Sequence, residues 1–555
     1  MKQIIFLLAA GCCFSATAQW QHPAGVQFTH ADTLRGSITA ERAWWDVLHY
    51  AVAVTPDINN KTISGHNIIR YKVTSESYPA FMQIDLQEPM QIDSVLFGNS
   101  RRMLRFEREG NAWHVQAPKQ AKGSEGSVTV YFHGKPREAV NPPWDGGWIW
   151  RKDATGSPWM SVACQGLGAS VWYPCKDHQS DEPDQGASLS MTVPDSLFAV
   201  SNGRLAGKTS ANGVSTWQWQ VVNPINNYNI VPYIGKYNHF SDTLQGEKGV
   251  LDLNFWVLDY NTDKAKKQFV QAKQMLRAFE YWFGPYPFYE DGYKLVESPH
   301  LGMEHQSAVA YGNGFANGYL GRDLSGSGWG NKWDFIIVHE SGHEWFANNI
   351  TSNDLADMWI HESFTNYSET LFTEYYYGVE AGTDYNYGTR KNIQNDKNII
   401  APYHVNSQGS GDMYYKGGNL IHTIRHSIHN DSLFRQILRG LNKTFYHQTV
   451  TTQQIEHYIS QQSGIDFSKV FDQYLRDTRI PAFEYRLEGN RLHYRYTNCI
   501  SEFHLPLALS NKTASLLLAA TDNWQVKEIK PAQKALISDS LIDRLYYLTV
   551  KKVKK

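Results

Sequence analysis

The apolar residues of this 555-residue chain change their repeat, and that change limits the fold more than any other feature. From about Trp44 to Thr243 they return at every second position, in "VLHYAVAV", "HNIIRYKV", "SVTVYFHG", "SLSMTVP" and "STWQWQVV", with Gly, Asn, Asp and Pro between. Alternate residues of a strand face opposite sides, so this block reads as antiparallel β structure. After "LDLNFWVLD" the spacing becomes helical. Lys264 to Trp282 carries Phe269, Met275, Leu276, Phe279 and Trp282 at helical intervals and stops at Gly284-Pro285. Helical segments dominate to about Arg476, and from Pro481 short strands such as "RLHYRY" and "ASLLLAA" return. The expectation is a multidomain chain: an N-terminal all-β antiparallel domain over 19–243, a mainly helical domain over 244–480 and a small C-terminal β domain over 481–555.

Composition narrows the partners. Hydrophobic residues make up 42% of the chain and charged residues 19%, with a net charge of −2, so nothing resembles the basic footprint that a phosphate backbone demands. Nucleic acid is excluded as an expected partner. Residues 1–18 combine Lys2, an apolar run through Leu8 and the A-x-A of Ala16-Thr17-Ala18, the pattern of a cleaved signal peptide. Lipidation at Cys12 is the weaker reading, because Leu8 sits one place too early. The protein is therefore expected to be exported, periplasmic or extracellular, and no other apolar run is long enough to span a bilayer. Removal of the leader leaves Cys164, Cys175 and Cys499, too few for a disulfide scaffold. A Cys164–Cys175 bridge is conceivable on export, with buried free thiols the blander alternative.

The stretch "FIIVHESGHEWFANNITSNDLADMWIHESFTNYSE" carries the chemistry. On a helix, His339 and His343 lie four apart on one face and present two imidazoles to one ion. Glu340 points to where a water on that ion would sit. A catalytic zinc keeps three protein ligands, and Glu362, early in a second helical pattern that ends at Gly378, supplies the third. Glu369, two turns further on the same face, is placed to hold the other ring nitrogen of one histidine. The glycine-rich Gly312 to Asn331 reads as a long loop bordering the site. An ordinary amphipathic helix pair is the bland alternative, but the apolar stripe through Phe335, Val338, Gly342 and Trp345 leaves the polar face free for a cleft.

These residues, an H-E-x-x-H followed by eighteen residues and Glu within "WIHESF", resemble the gluzincin aminopeptidases, the group of the alanyl aminopeptidases and the leukotriene-epoxide hydrolase. "DVLHYAVAVTPDINNKTISGHNIIRYKV" is similar to the opening strands of their β domain, "FGPYPF" to the approach to their exopeptidase motif and "YLRDTRIPAF" to the end of their thermolysin-like catalytic domain. The resemblance implies one zinc ion per chain and peptide substrates. It implies that Glu304, within Leu301-Gly302-Met303-Glu304-His305, binds the substrate's free α-amine, with Gly302 and Met303 beside it. Leu301 and His305 depart from the family's glycine and asparagine. In "CQGLGASVWYPCKD" it implies that Gln165 helps Glu304 bind that amine. In "MYYKGGNLIH" the alignment of Lys416-Gly417 selects Tyr414 over Tyr415 as the oxyanion donor.

The expected reaction is hydrolysis of N-terminal residues from peptides by zinc-activated water, with Glu340 as general base. Two rivals stand beside it: a zinc endopeptidase in which Glu304 no longer reads the amine, and a secreted peptide-binding protein with a vestigial metal site. The sequence leaves the oligomeric state and the preferred first residue of the substrate open.

Overall fold

The computed structural model describes residues 27–98 and 100–554, so the leader expected over 1–18, with Cys12, lies outside the described residues. Two short helices, His30–Gly36 and Ala40–Ala43, precede the first strand. Thr29 caps the first through a reciprocal pair of bonds with Asp32. They are an addition to the expected all-β domain.

Strand Trp45–Asp57 pairs antiparallel with Thr62–Val73 and parallel with Ala187–Pro194, at the centre of an eight-stranded sheet. Its alternation does what the sequence implies: Val47, Tyr50, Val52 and Val54 are buried on one face. A four-stranded and a three-stranded sheet complete this part of the chain.

The second part begins before the expected boundary. Strand Tyr237–Gly246 pairs along its whole length with Gly249–Leu258 and opens a five-stranded sheet that continues through Tyr293–Glu297 and Val309–Tyr311 to the edge strand Gly302–Met303. A division at 243/244 falls inside that first strand, because turn residues after it mark a hairpin and not a domain edge. The sheet also explains the apolar run "FWVL". Leu253, Phe255 and Val257 face the helices, while Trp256 and Leu258 join the core of the β domain. Both faces are covered, as in other sheets whose strands read continuously apolar.

The single helical pattern read over 264–282 is two helices, Thr262–Gln268 and Val270–Phe283, broken at Phe269 and ended at Gly284 with φ 97°. The motif helix Phe335–Gly342 and the long helix Trp359–Tyr377 pack against each other at the centre. The C-terminal segment forms the expected strands, a four-stranded sheet and a hairpin of His504–Ser510 with Ser515–Thr521. It also carries two short helices, Pro531–Lys534 and Asp539–Leu545. Phe483, Leu507 and Tyr546 lie in the same apolar cluster as the catalytic helices, so this segment is welded to its neighbour through a shared core. Among the described residues no helix is long and apolar enough to cross a membrane.

Candidate metal centre

Asp334 starts the motif helix by accepting from the amides of Ile336 and Ile337, one of the orphan-donor arrangements that fix a helix origin. Phe335 to Val338 are buried, which turns His339 and His343 toward the long helix, their rings 5.1 Å apart. The helix then unwinds. Phe346 has φ −129°, ψ 88° and Ala347 has φ 145°, a conformation that non-glycine residues rarely adopt. This turn brings the Phe346 carbonyl back to His343, whose Nδ1 donates to it at 3.0 Å. The His339 Nδ1 lies 2.7 Å from Glu369 Oε1. Each imidazole thus has one nitrogen engaged, and the two Nε2 atoms converge on Glu362.

Glu362 sits in the first turn of the long helix. Its Oε2 is 3.4 Å from His343 Nε2 and 3.8 Å from His339 Nε2. Ligands held tetrahedrally at about 2.1 Å from one ion lie about 3.4 Å from each other, so this triangle has the edge lengths of a zinc site. Glu362 Oε2 is buried without a hydrogen-bond partner, and an orphaned buried carboxylate oxygen is costly unless something positive meets it. The electrostatics agree. Burial alone would depress His343, yet the Glu362, Glu304 and Glu340 carboxylates push it up to about 10. Burial would raise Glu362, and His343 and His339 hold it below its ordinary value. Two imidazoles among three carboxylates demand positive charge, and the residues present fit a divalent cation of the zinc type.

Glu369 is held in turn by the Tyr385 hydroxyl at 2.6 Å and the Asn366 amide at 3.2 Å. Glu340 is partly exposed, one residue after His339. Burial pushes its carboxyl up to about 7 against the pull of both histidines. Gly302 makes room for it: a Cβ there would meet Glu340 Oε1 at 2.6 Å. The edge strand Gly302–Met303 therefore runs directly beside Glu340.

Glu304 is buried, and its Oε1 accepts from the Tyr228 hydroxyl at 3.1 Å. Its carboxylate, Glu340 and His343 offer ligand atoms all within 4.8 Å of one another. Met303 packs against the core of the β domain. His305 is fully buried, its Nδ1 in a short hydrogen bond with the Tyr233 hydroxyl, beside His300, so its departure from asparagine turns into the protein interior. Gln165 is not joined to Glu304: its amide donates to Met358 Sδ at 3.6 Å. The carboxylate takes its side-chain hydrogen bond from Tyr228 at one oxygen, and the role of Gln165 toward a substrate amine stays an expectation.

Tyr414 stands at the start of helix Tyr415–Ile428, its ring 6.1 Å from that of His339. Burial first, and then the Glu362, Glu304 and Glu340 charges, hold its hydroxyl protonated by raising it well above the ordinary value. Gly417 lets this helix approach the long one, since a Cβ would stand 1.9 Å from Ser363 Oγ. Within the long loop, Tyr319 lies in a tight turn closed by paired bonds with Arg322 and packs on Phe335, with its hydroxyl raised by burial and by Glu340. Cys164 and Cys175 are buried and unbridged.

Tyr228, the Phe346 carbonyl, Tyr385 and Tyr319 escape sequence reasoning. No spacing relates them to the motif, and with 32 tyrosines in the chain residue type alone singles out none.

Residues 269–474 match the model of the Peptidase family M1 domain. Among curated proteins, aminopeptidase N of Lactococcus lactis is 22% identical over 461 residues, 77% of this chain and 50% of its own. Leukotriene A-4 hydrolase of Xenopus laevis is 22% identical over 332 residues, covering 56% of this chain and 51% of its own. The chain spans about half the length of the curated relatives it matches. Among solved structures, an M1 zinc metallopeptidase from Deinococcus radiodurans superposes with a TM-score of 0.66 at 20% identity, covering 79% of this chain and 95% of that one. A two-domain M1 zinc metallopeptidase mutant bound to L-tryptophan gives 0.63 at 22%, covering 76% and 91%. The fold is therefore that of the M1 zinc metallopeptidases.

Proposed function

We propose, from the match of residues 269–474 to the Peptidase family M1 domain, that the chain belongs to that family and is a zinc aminopeptidase removing N-terminal residues from peptides. The observation that carries this reading is the place of Glu304. It stands within 4.8 Å of Glu340 and His343. An α-amine and the carbonyl carbon of the same residue are about 2.5 Å apart. A substrate ammonium paired with Glu304 therefore sets the first peptide carbonyl at the metal centre.

His339, His343 and Glu362 would hold the zinc ion, which supplies Lewis acidity that lowers the pKa of water toward ~7 and polarises a carbonyl. Glu340 takes a proton from the attacking water as the C–O bond forms. It then delivers that proton to the amine nitrogen as the C–N bond breaks. Tyr414 keeps its proton and donates a hydrogen bond to the oxygen that becomes negative. Glu369 holds His339 in the tautomer that leaves Nε2 free, and the Phe346 carbonyl does the same for His343. The leader read in residues 1–18 adds export to the proposal.

The test is initial rates on aminoacyl chromogenic amides beside their N-acetylated twins, with chelation and zinc restoration. Zinc-dependent cleavage confined to free amines supports the reading. Cleavage of the blocked twins would make the protein an endopeptidase.

A further inference from the structure

One four-residue segment of the β domain, Asn226 to Asn229, reaches across to the catalytic residues at three points. Tyr228 donates its hydroxyl to Glu304 Oε1 at 3.1 Å. The Asn229 amide donates to Asn348 Oδ1 at 2.6 Å, and the Asn348 amide donates to the carbonyl of Glu304 at 2.8 Å. The Asn226 amide donates at 2.9 Å to the carbonyl of Ala347, in the turn that follows His343. The segment is itself anchored, since the Asn227 amide donates to the carbonyls of Lys176 and Asp181.

We infer that Tyr228 is a positioning residue for amine recognition: its hydroxyl fixes one oxygen of Glu304 so that the other is presented to the α-ammonium of a peptide. The inference rests on the reading of Glu304 as the amine-binding group. A glutamate carboxyl rotates broadly about its last torsion. Left with its own backbone amide and with the Asn348 bond on its carbonyl, Glu304 would sample orientations in which neither oxygen meets an incoming ammonium. The bond from Tyr228 removes that freedom before substrate arrives, and preorganisation of this kind shows as tighter binding. Tyr228 is only 8% exposed, so water does not compete for the carboxylate from its side.

The experiment is a double-mutant cycle on the zinc-loaded full chain with Tyr228→Phe, Glu304→Ala and their combination, assayed on free-amine aminoacyl amides and their N-acetylated twins. Zinc content and the calorimetric affinity for a free amino acid are measured alongside. Tyr228→Phe is expected to raise KM by about 10- to 100-fold and to weaken amino-acid binding in parallel, the size of losing a hydrogen bond to a charged group. Its kcat and zinc content should stay within about twofold. In the Glu304→Ala background the same change should move KM by less than about twofold, since the group it positions is gone. An unchanged KM, a fall confined to kcat, or an equal loss in both backgrounds overturns the assignment. A Glu304→Ala enzyme that still prefers free amines as strongly as the wild type overturns the amine reading itself, and this inference with it. Should Tyr228→Phe not fold, Asn229→Ala releases the backbone arm of the same support. It is expected to raise KM a few-fold on free amines and not at all in the Glu304→Ala background, and any other pattern overturns the inference.

Discussion

The Nδ1 of His339 and the Oε1 of Glu369 lie 2.7 Å apart, thirty positions separated in sequence and both buried. The contact is possible because the motif helix and the long helix cross where their side chains face each other. It fixes the imidazole orientation from a carboxylate that Tyr385 and Asn366 already hold.

Glu369→Ala should therefore lower zinc affinity by about 10- to 100-fold while leaving the three ligands in place. Competition with a chelator of known affinity measures it. An affinity equal to wild type would show that the helix packing alone orients His339.

Glu340→Gln preserves shape and removes the base. Zinc content should remain at one ion per chain, and kcat should fall by about 10²- to 10⁴-fold, the usual weight of a general base. Zinc analysis and steady-state rates on the same preparation decide it. Retained turnover would sink the assignment, and lost zinc would move Glu340 into the ligand set.

The charge crowding at His343 predicts a pH dependence of stability in the zinc-depleted protein. Burial works against the charged imidazole, yet the surrounding carboxylates raise it from 6.5 to about 10. A group raised in the folded state stabilises the fold fully below its unfolded value, and the contribution is lost as pH rises through the folded one. Glu340, raised by burial from 4.5 to about 7, acts in the same direction at lower pH. The thermal midpoint of chelator-treated protein should fall from pH 6.5 to 10, and the zinc-loaded protein should vary less, because the cation replaces the protons. A midpoint that rises across this window in the depleted protein would contradict the crowding.

The metal triad was legible because its geometry is local. Two histidines four apart and a glutamate early in the next helix are brought together by helical periodicity and one crossing. Domain classes were legible for the same reason, from repeats of two and of three to four. Features that depend on long-range packing were not. Strand Tyr237–Gly246 belongs to the second sheet because of its pairing with Gly249–Leu258, yet its own pattern matches the strands before it. The kink at Ala347 has no proline or glycine between Glu344 and Thr351 to announce it. It is held instead by donors on the Ala347 carbonyl, Asn226 from far along the chain and Thr351 four residues on.

Gln165 is where resemblance and structure separate most clearly, and the difference is measurable. The resemblance makes it a second ligand for the α-amine, beside Glu304. In the structure its amide donates to the Met358 sulfur, and Gln179 donates to the same atom at 3.4 Å, so the two amides face a weak acceptor on the long helix side of the interface. Glu304 takes its hydrogen bond from Tyr228 instead. A hydrogen bond to sulfur is weak, so its loss perturbs the fold little. Gln165→Ala is therefore expected to change KM for free-amine substrates by less than about threefold, whereas a direct bond to a charged amine would cost about tenfold or more. Steady-state kinetics on a free-amine amide and its N-acetylated twin separate the two cases. A tenfold rise in KM confined to the free amine would show that Gln165 swings from Met358 to the substrate when the ammonium arrives.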